Sequence, residues 1–350
     1  MKAAVLHARE DLRYEDYPTP EVLPGTVRVR VRAAGICGSD LPRVLGNGAH
    51  FYPVVLGHEF SGTVDAIGEG VEGFAIGDTV SGAPLVPCMR CKDCQEGNFS
   101  LCHHYTFIGS RTAGAFAEYV VLPAVNAVKY DPRIPFVQAA MFEPSTVSLH
   151  GLQKAGYEGG RTVAVLGGGT IGLFAMQWAR IFGARKIVVF DIVPERMELA
   201  LRLGADAVVN TKEEDVTARV AELTDGRGFG FVAETAGTPI TLRMSYAVAG
   251  NGATVAVIGT PTGNVAFTPK EWELLNRKEL HVVGSWMSYS APFPGKEWEL
   301  TAHYFATGQL KFDPALIDRT FPLSRAAEAF ALFKTPGNVK GKIMLVNDEA

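Results

Sequence analysis

Two textures of hydrophobic patterning divide the chain. As far as about residue 150, apolar positions alternate with polar ones over short stretches broken by Gly, Pro and Asp. Val27-Arg28-Val29-Arg30-Val31-Arg32 is the cleanest case, and residues 62–67 and 116–121 repeat it. A two-residue period puts every second side chain on one face. These stretches therefore read as half-buried strands, closely spaced, of an antiparallel barrel or sandwich. Residues 82–109 carry little periodicity of any kind and read as a lobe lacking its own apolar core.

After Gly151 the pattern changes to continuous apolar runs at 162–166, 186–190, 207–209, 230–233, 254–258 and 281–283, with helical spacing between them. Ile171, Phe174, Ala175, Trp178, Ile181 and Phe182 fall at i, i+3, i+4, i+7, i+10 and i+11, one face of a helix. Strands apolar on both faces, alternating with amphipathic helices, predict a parallel sheet covered on both sides. Six runs match a six-stranded doubly wound (Rossmann) domain. Beyond residue 290 the spacing predicts a helix over 297–306, a second after Pro322-Leu323-Ser324, and a last strand at 342–346 that can rejoin the first domain. The fold class is α/β. A doubly wound domain spans 151–290, and a mainly antiparallel, barrel-like β domain takes 1–150 and 291–350, with the lobe at about 82–109.

Composition narrows the function. Lys and Arg number 33 against 37 Asp and Glu, a net charge of −4. No basic field attracts nucleic acid or an anionic membrane. No apolar run approaches the roughly 18 residues of a membrane span, and the N-terminus has no signal-peptide core, so a cytoplasmic protein is expected. Glycine is in excess, 38 of 350 residues or about 11% against a typical ~7%, so turns and close backbone approaches are numerous. Cysteine occurs five times, at 37, 88, 91, 94 and 102. An odd number crowded into the first third makes a poor disulfide framework and a plausible metal framework.

The run at 162–166 leads straight into Gly167-Gly168-Gly169-Thr170-Ile171-Gly172, and a helical pattern follows. This is G-x-G-x-x-G in its required strand–helix context. Gly167 permits the tight turn, Gly169 lets the backbone approach a pyrophosphate, and Gly172 lets helix and strand pack closely. Asp191 ends the next run, nineteen residues past Gly172, where a carboxylate accepts from both ribose hydroxyls and repels a 2′-phosphate. NAD is thereby favoured. Arg196, five residues on, is a group that could tolerate NADP or stack on adenine.

Cys88, Cys91, Cys94 and Cys102 place four thiolates within fifteen residues. Two-residue spacers let consecutive ligands converge on one ion, and four sulfurs suit a closed, structural zinc. An iron–sulfur cluster and free thiols are the alternatives. Cys37, His58 and Glu143 lie in Gly/Pro-punctuated apolar contexts and supply a ligand set for a catalytic zinc with one open position. Separations this long do not by themselves establish convergence.

The four-cysteine spacing, Cys37-Gly-Ser-Asp40, Gly57-His-Glu59 and the following glycine-rich loop together resemble the zinc-dependent medium-chain dehydrogenase/reductase superfamily, over the whole chain. Longer stretches, Cys37–Arg43, Asn47–His50, Leu56–Gly62, Phe107–Arg111 and Gly284–Met287 with Tyr289-Ser290, resemble its polyol dehydrogenase branch. The resemblance implies two zinc ions per chain and NAD. Cys37 and His58 would bind the catalytic zinc, with Glu143 at the third-ligand position, where polyol dehydrogenases use Glu. Glu59 would be an alternate ligand or neighbour, Asp40 would orient His58, and Ser39 would relay the substrate proton. Pro42 stands where some members carry a proton-passing histidine. Thr170, Ile171, Ile258 and Ser285 are further expected cofactor contacts.

The implied reaction is oxidation of a sugar alcohol's secondary hydroxyl, with galactitol 1-phosphate giving tagatose 6-phosphate as the first expectation and free sorbitol or xylitol as the alternative. Arg43, His50, Arg111, Lys296 and Trp286 are candidate substrate contacts. The run at 281–283 would leave a sheet edge exposed in a monomer, so a homo-oligomer, dimer or tetramer, is expected.

Overall fold

The Val/Arg alternation becomes the strand Thr26–Gly35, with Val27, Val29 and Val31 buried and the arginines between them turned outward. Arg28 pairs with Asp65 across the strand Glu59–Ile67, Nε to Oδ2 at 2.7 Å. The structure is a computed structural model that describes residues 1–261 and 263–347. Within it the chain divides into two units.

The first unit comprises Met1–Glu143, Tyr289–Gly308 and Ile317–Ala350. Its main sheet runs Ala127–Lys129, Thr79–Gly82, Glu59–Ile67, Thr26–Gly35, Lys342–Val346 and Ile317–Pro322, antiparallel except for the last pair. Thr26–Gly35 is long enough to take two partners in series on one side. Residues 26–30 pair with Tyr119–Pro123, and residues 33–35 with the chain's last strand. The chain's last strand thus pairs within the first unit. A smaller sheet, Asp11–Asp16, Lys2–Ala8 and Val54–Val55, packs into the same apolar core. The alternation at 116–121 yields a shorter strand than expected. It begins at Tyr119, and Ala117 forms only an isolated bridge to Ala3. After Pro322 the expected helix opens as a 3-10 turn, Leu323–Arg325, before Ala326–Ala331.

The second unit comprises Pro144–Ser288 and Gln309–Leu316. Its six strands are all parallel, in the order Ala207–Asn210, Lys186–Asp191, Thr162–Leu166, Phe229–Glu234, Ala249–Val257, His281–Gly284. That is the doubly wound order, with its switch point between the first and fourth strands in sequence. Phe190, Val188, Ala164, Phe229, Val232 and Val255 fill a core that only strands apolar on both faces can supply. The edge strand His281–Gly284 has no buried residue, and Val282 is 37% exposed.

Candidate active site

In the second unit the strand Thr162–Leu166 turns at Gly167, whose φ of 99° lies in the region only glycine enters without strain. The helix Thr170–Ile181 starts immediately, capped by Gly169, with Thr170 and Ile171 in its first turn. Gly172 packs so tightly that a Cβ there would stand 1.8 Å from the Gly167 carbonyl oxygen. The helix N-terminus and its free amides are therefore fixed at the strand's end, the arrangement that receives a pyrophosphate.

Asp191, at the end of the next strand, is built into this turn. Its Oδ2 accepts the Gly168 amide at 2.6 Å, and its Oδ1 accepts those of Ile192 and Val193 at 2.7 and 2.8 Å. Three charge-assisted bonds hold the carboxylate in place. Arg196 stands 3.9 Å from Oδ2, so its guanidinium already leans on the acid. Ile258 follows the strand Ala249–Val257. Ser285 donates its amide to the Val257 carbonyl at 2.9 Å, and its buried Oγ has no partner among the described residues. Trp286 is 54% exposed.

In the first unit, Cys37 follows the strand Thr26–Gly35, His58 precedes the strand Glu59–Ile67, and Glu143 lies in the first turn of the helix Phe142–Lys154. Ligand atoms of Cys37, His58 and Glu59 lie within 4.8 Å of one another. Glu143 is beside them, close enough for its charge to be felt. Burial pushes its carboxyl up to about 7, against the attraction of His58. The His58 ring presents Nδ1 to Asp40, 3.5 Å from Oδ1, which leaves Nε2 for a metal. Asp40 is itself fully buried and accepts the Cys37 amide at 3.1 Å. Burial opposes a charge on His58, but Asp40 and Cys37 outweigh it and hold the imidazole well above its usual range.

A half-buried sulfur converging with a buried imidazole and carboxylate suits zinc better than a hard oxygen-seeking cation. Ser39 lies between Cys37 and Asp40 in the chain, and Arg43 Nη1 donates to its carbonyl at 2.5 Å and its Oγ at 3.2 Å.

Lys342 escaped the sequence reading. It opens the last strand, its side chain is 7% exposed, and its Nζ donates to both oxygens of Glu59 at 2.7 and 2.6 Å. Burial disfavours its charge, yet Glu59 and Cys37 more than restore it. A lysine heading an apolar strand looks like an ordinary solvated end. Only its burial marks it out, because lysine is almost never buried unpaired.

The four remaining cysteines also converge. Their sulfurs lie within 4.8 Å of one another, Cys91 and Cys94 at 3.5 Å, and none is in a disulfide. Amides of Cys88 and Cys91 point at neighbouring sulfurs, at 3.3 and 3.4 Å. Tetrahedral Zn–S bonds of ~2.3 Å separate their sulfurs by about 3.8 Å, so the cluster needs little adjustment to close on one ion. Its protons are unevenly shared. The Arg90 amide helps bring the Cys88 thiol down to about 6, while burial pushes Cys94 up to about 12. Four thiolates need a cation to coexist here. A two-stranded ribbon, Leu85–Val86 with Thr106–Phe107, ties the lobe off.

Three of the candidate substrate residues are brought together. Burial lowers the pKa of His50, and the charges of Arg111 and Arg43 lower it further. Arg111 lies over the Tyr105 ring, 4.5 Å from its centroid, and Lys296 is exposed at the start of the helix Lys296–Ala306.

Residues 23–132 match the alcohol dehydrogenase GroES-like domain, and residues 170–303 match the zinc-binding dehydrogenase domain. The chain is 39% identical over 320 residues to galactitol 1-phosphate 5-dehydrogenase of Escherichia coli (strain K12), covering 91% of this chain and 92% of that one. A crystal structure of galactitol-1-phosphate dehydrogenase from Escherichia coli superposes with a TM-score of 0.94 at 38% identity, over 99% of this chain and 100% of that one. Sorbitol dehydrogenase of Bacillus subtilis (strain 168) is 35% identical over 75% of this chain and 76% of its own length. L-Threonine 3-dehydrogenase of Proteus mirabilis (strain HI4320) is 31% identical over 99% of each chain.

Proposed function

The chain belongs to the zinc-dependent alcohol and polyol dehydrogenases of the medium-chain superfamily, and from that premise we propose that it oxidises galactitol 1-phosphate to tagatose 6-phosphate with NAD. We assign dinucleotide binding to the unit holding Gly167–Gly172 and Asp191, and substrate chemistry to the unit holding Cys37, His58 and Glu143. Cys37 and His58, with Glu143 or Glu59 as a further ligand, would hold a zinc ion whose Lewis acidity would bring a substrate hydroxyl toward neutral pKa, and NAD would supply the hydride acceptor.

The protein's own groups do the rest. Asp40 fixes which ring nitrogen of His58 faces the metal. Ser39 would relay the substrate proton, accepting it at Oγ as its own hydroxyl proton passes on, and Arg43 donates to that oxygen and holds the hydroxyl in place. With Pro42 in place of a proton-passing side chain, the proton leaves through water, by way of Glu59 or the cofactor ribose. Lys342 anchors Glu59, limiting its competition with substrate for the metal.

The observation that carries the phosphorylated substrate is the pair of guanidiniums, Arg43 and Arg111, whose charges both reach His50, with Arg43 donating to Ser39. A free polyol has no use for two guanidiniums, whereas a phosphate pairs with them directly. The competing reading, a dehydrogenase of free sorbitol or xylitol, draws on Arg111 already resting on Tyr105. NAD reduction with galactitol 1-phosphate, galactitol, sorbitol and xylitol separates the two. Arg111→Ala is expected to raise KM for the phosphate ester by roughly tenfold or more, worth about 1.4 kcal/mol, and to leave free polyols within about twofold. Equal changes on both substrates would remove Arg111 from phosphate binding.

Five free thiols suit a reducing compartment, and we place the reaction in the cytoplasm. No described helix is long and apolar enough to cross a membrane. The unpaired edge His281–Gly284, with Val282 outward, fits a second copy of the chain added strand to strand. Light scattering is expected to give a dimer or a tetramer, and a mass of one chain would exclude this pairing.

A further inference from the structure

Among the buried acids to which the reaction gives no task, Glu234 stands next to the dinucleotide turn. Glu234 ends the strand Phe229–Glu234 and is 0% exposed. In the sheet it pairs on one side with Leu166, the last residue before the glycine-rich turn. On the other it pairs with Val257, the last before Ile258. Its main-chain carbonyl accepts the amides of Ile258 and Gly259 at 2.9 and 3.0 Å. Its side-chain Oε1 accepts those of Ala236 and Gly237 at 3.1 and 2.8 Å. A single residue therefore ties down two consecutive loops, 235–238 and 258–260, at the carboxyl ends of neighbouring parallel strands.

The first of these loops also braces the dinucleotide turn. Thr235 Oγ1 lies within 2.9 and 3.0 Å of the Leu166 and Gly167 carbonyl oxygens, and a Cβ on Gly167 would stand 2.9 Å from the Ala236 methyl. The second loop leaves no slack, since a Cβ on Gly259 would stand 2.7 Å from Glu234 Oε2. That oxygen has no hydrogen-bond partner among the described residues. Burial raises the carboxyl's pKa against the Thr241 hydroxyl and the two amides, so keeping this acid here is costly.

We propose that Glu234 is a positioning residue for the half of the dinucleotide that lies beyond the switch point, setting the loops 235–238 and 258–260 at the height that half requires. Asp191, two strands away, serves the adenosine side. The proposal rests on cofactor binding at Gly167–Gly172.

Glu234→Gln keeps the length and one acceptor oxygen, whereas Glu234→Asp withdraws it by one methylene. With zinc-loaded protein, Glu234→Asp is expected to weaken NADH binding by roughly tenfold or more and Glu234→Gln by less than about threefold. KM for the polyol, zinc content and kcat at saturating NAD are expected to stay within about threefold in both. An Asp variant that binds NADH like the wild type overturns the proposal. So does one that loses zinc and cofactor in equal proportion.

A measurement on the unaltered enzyme stands beside these variants. NADH is expected to slow amide exchange at residues 235–238 and 258–260 by at least about tenfold, and unchanged exchange there overturns the proposal even if the Asp variant does not fold. Wild-type protein that binds no NADH overturns the dinucleotide reading itself, and this inference with it.

Discussion

His58→Ala is expected to abolish oxidation of every polyol and to lower bound zinc from two ions per chain to one. His58 is the only nitrogen donor among the three groups that converge at the catalytic position, and the four-cysteine cluster contains none of its atoms. Removing it leaves a sulfur, the Glu143 carboxyl and a Glu59 carboxylate already committed to Lys342, too little to hold zinc tightly against solvent. Without the Lewis acid the substrate hydroxyl keeps its alcohol pKa, and a loss on the order of 10³ in rate, about 4 kcal/mol, is the minimum expected.

The same site gives zinc uptake a pH dependence with a definite sign. Asp40 and Cys37 hold the His58 imidazolium well above its usual pKa, so a proton occupies the ring until the metal displaces it. Zinc affinity at this position therefore falls as pH drops through that raised pKa. Metal analysis by mass spectrometry together with NAD-reduction rates checks both statements. A variant that keeps two zinc ions, or activity within about tenfold of the parent, would refute the ligand assignment.

How much of this was legible in the sequence depends on how local each feature is. The six strands of the parallel sheet were all found, because strands buried on both faces write continuous apolar runs. Their boundaries were poorer where glycine and asparagine intervene. Ala249–Val257 begins five residues before the run at 254–258, since Gly250, Asn251 and Gly252 carry no apolar signal. The dinucleotide turn and the cysteine lobe were legible because each is complete within a few residues.

The catalytic group was not legible by spacing. Cys37, His58 and Glu143 are scattered over the first 143 residues, and only the motifs around them suggested a common metal. Lys342 and Glu234 left no signal at all. Each sits at one end of an apolar run, where a charge normally marks the chain's return to water, and only tertiary burial reverses that meaning.

Lys342→Met tests how much that reversal matters. Methionine keeps most of the apolar stem and removes only the charge, so packing changes little. Glu59 would then be left 1% exposed, with neither oxygen paired to a cation, beside Cys37 and Glu143. Removing one partner of a buried pair costs about 3–5 kcal/mol, because the other charge stays buried without compensation. For a chain of 350 residues that corresponds to a fall of about 4–7 °C in thermal midpoint.

The metal should change the answer. Glu59 lies in the same group of converging ligand atoms as Cys37 and His58, so bound zinc offers the stranded carboxylate a second counter-ion. The loss is therefore expected to be larger in metal-stripped protein than in zinc-loaded protein. Adding Glu59→Gln to Lys342→Met removes the stranded charge and should recover most of the stability, leaving a neutral amide in the same volume. Thermal unfolding of the four proteins, wild type, each single variant and the double, with and without zinc, closes the cycle. If the double variant is no more stable than Lys342→Met alone, the cost lies in packing around the lysine stem and not in the charge of Glu59.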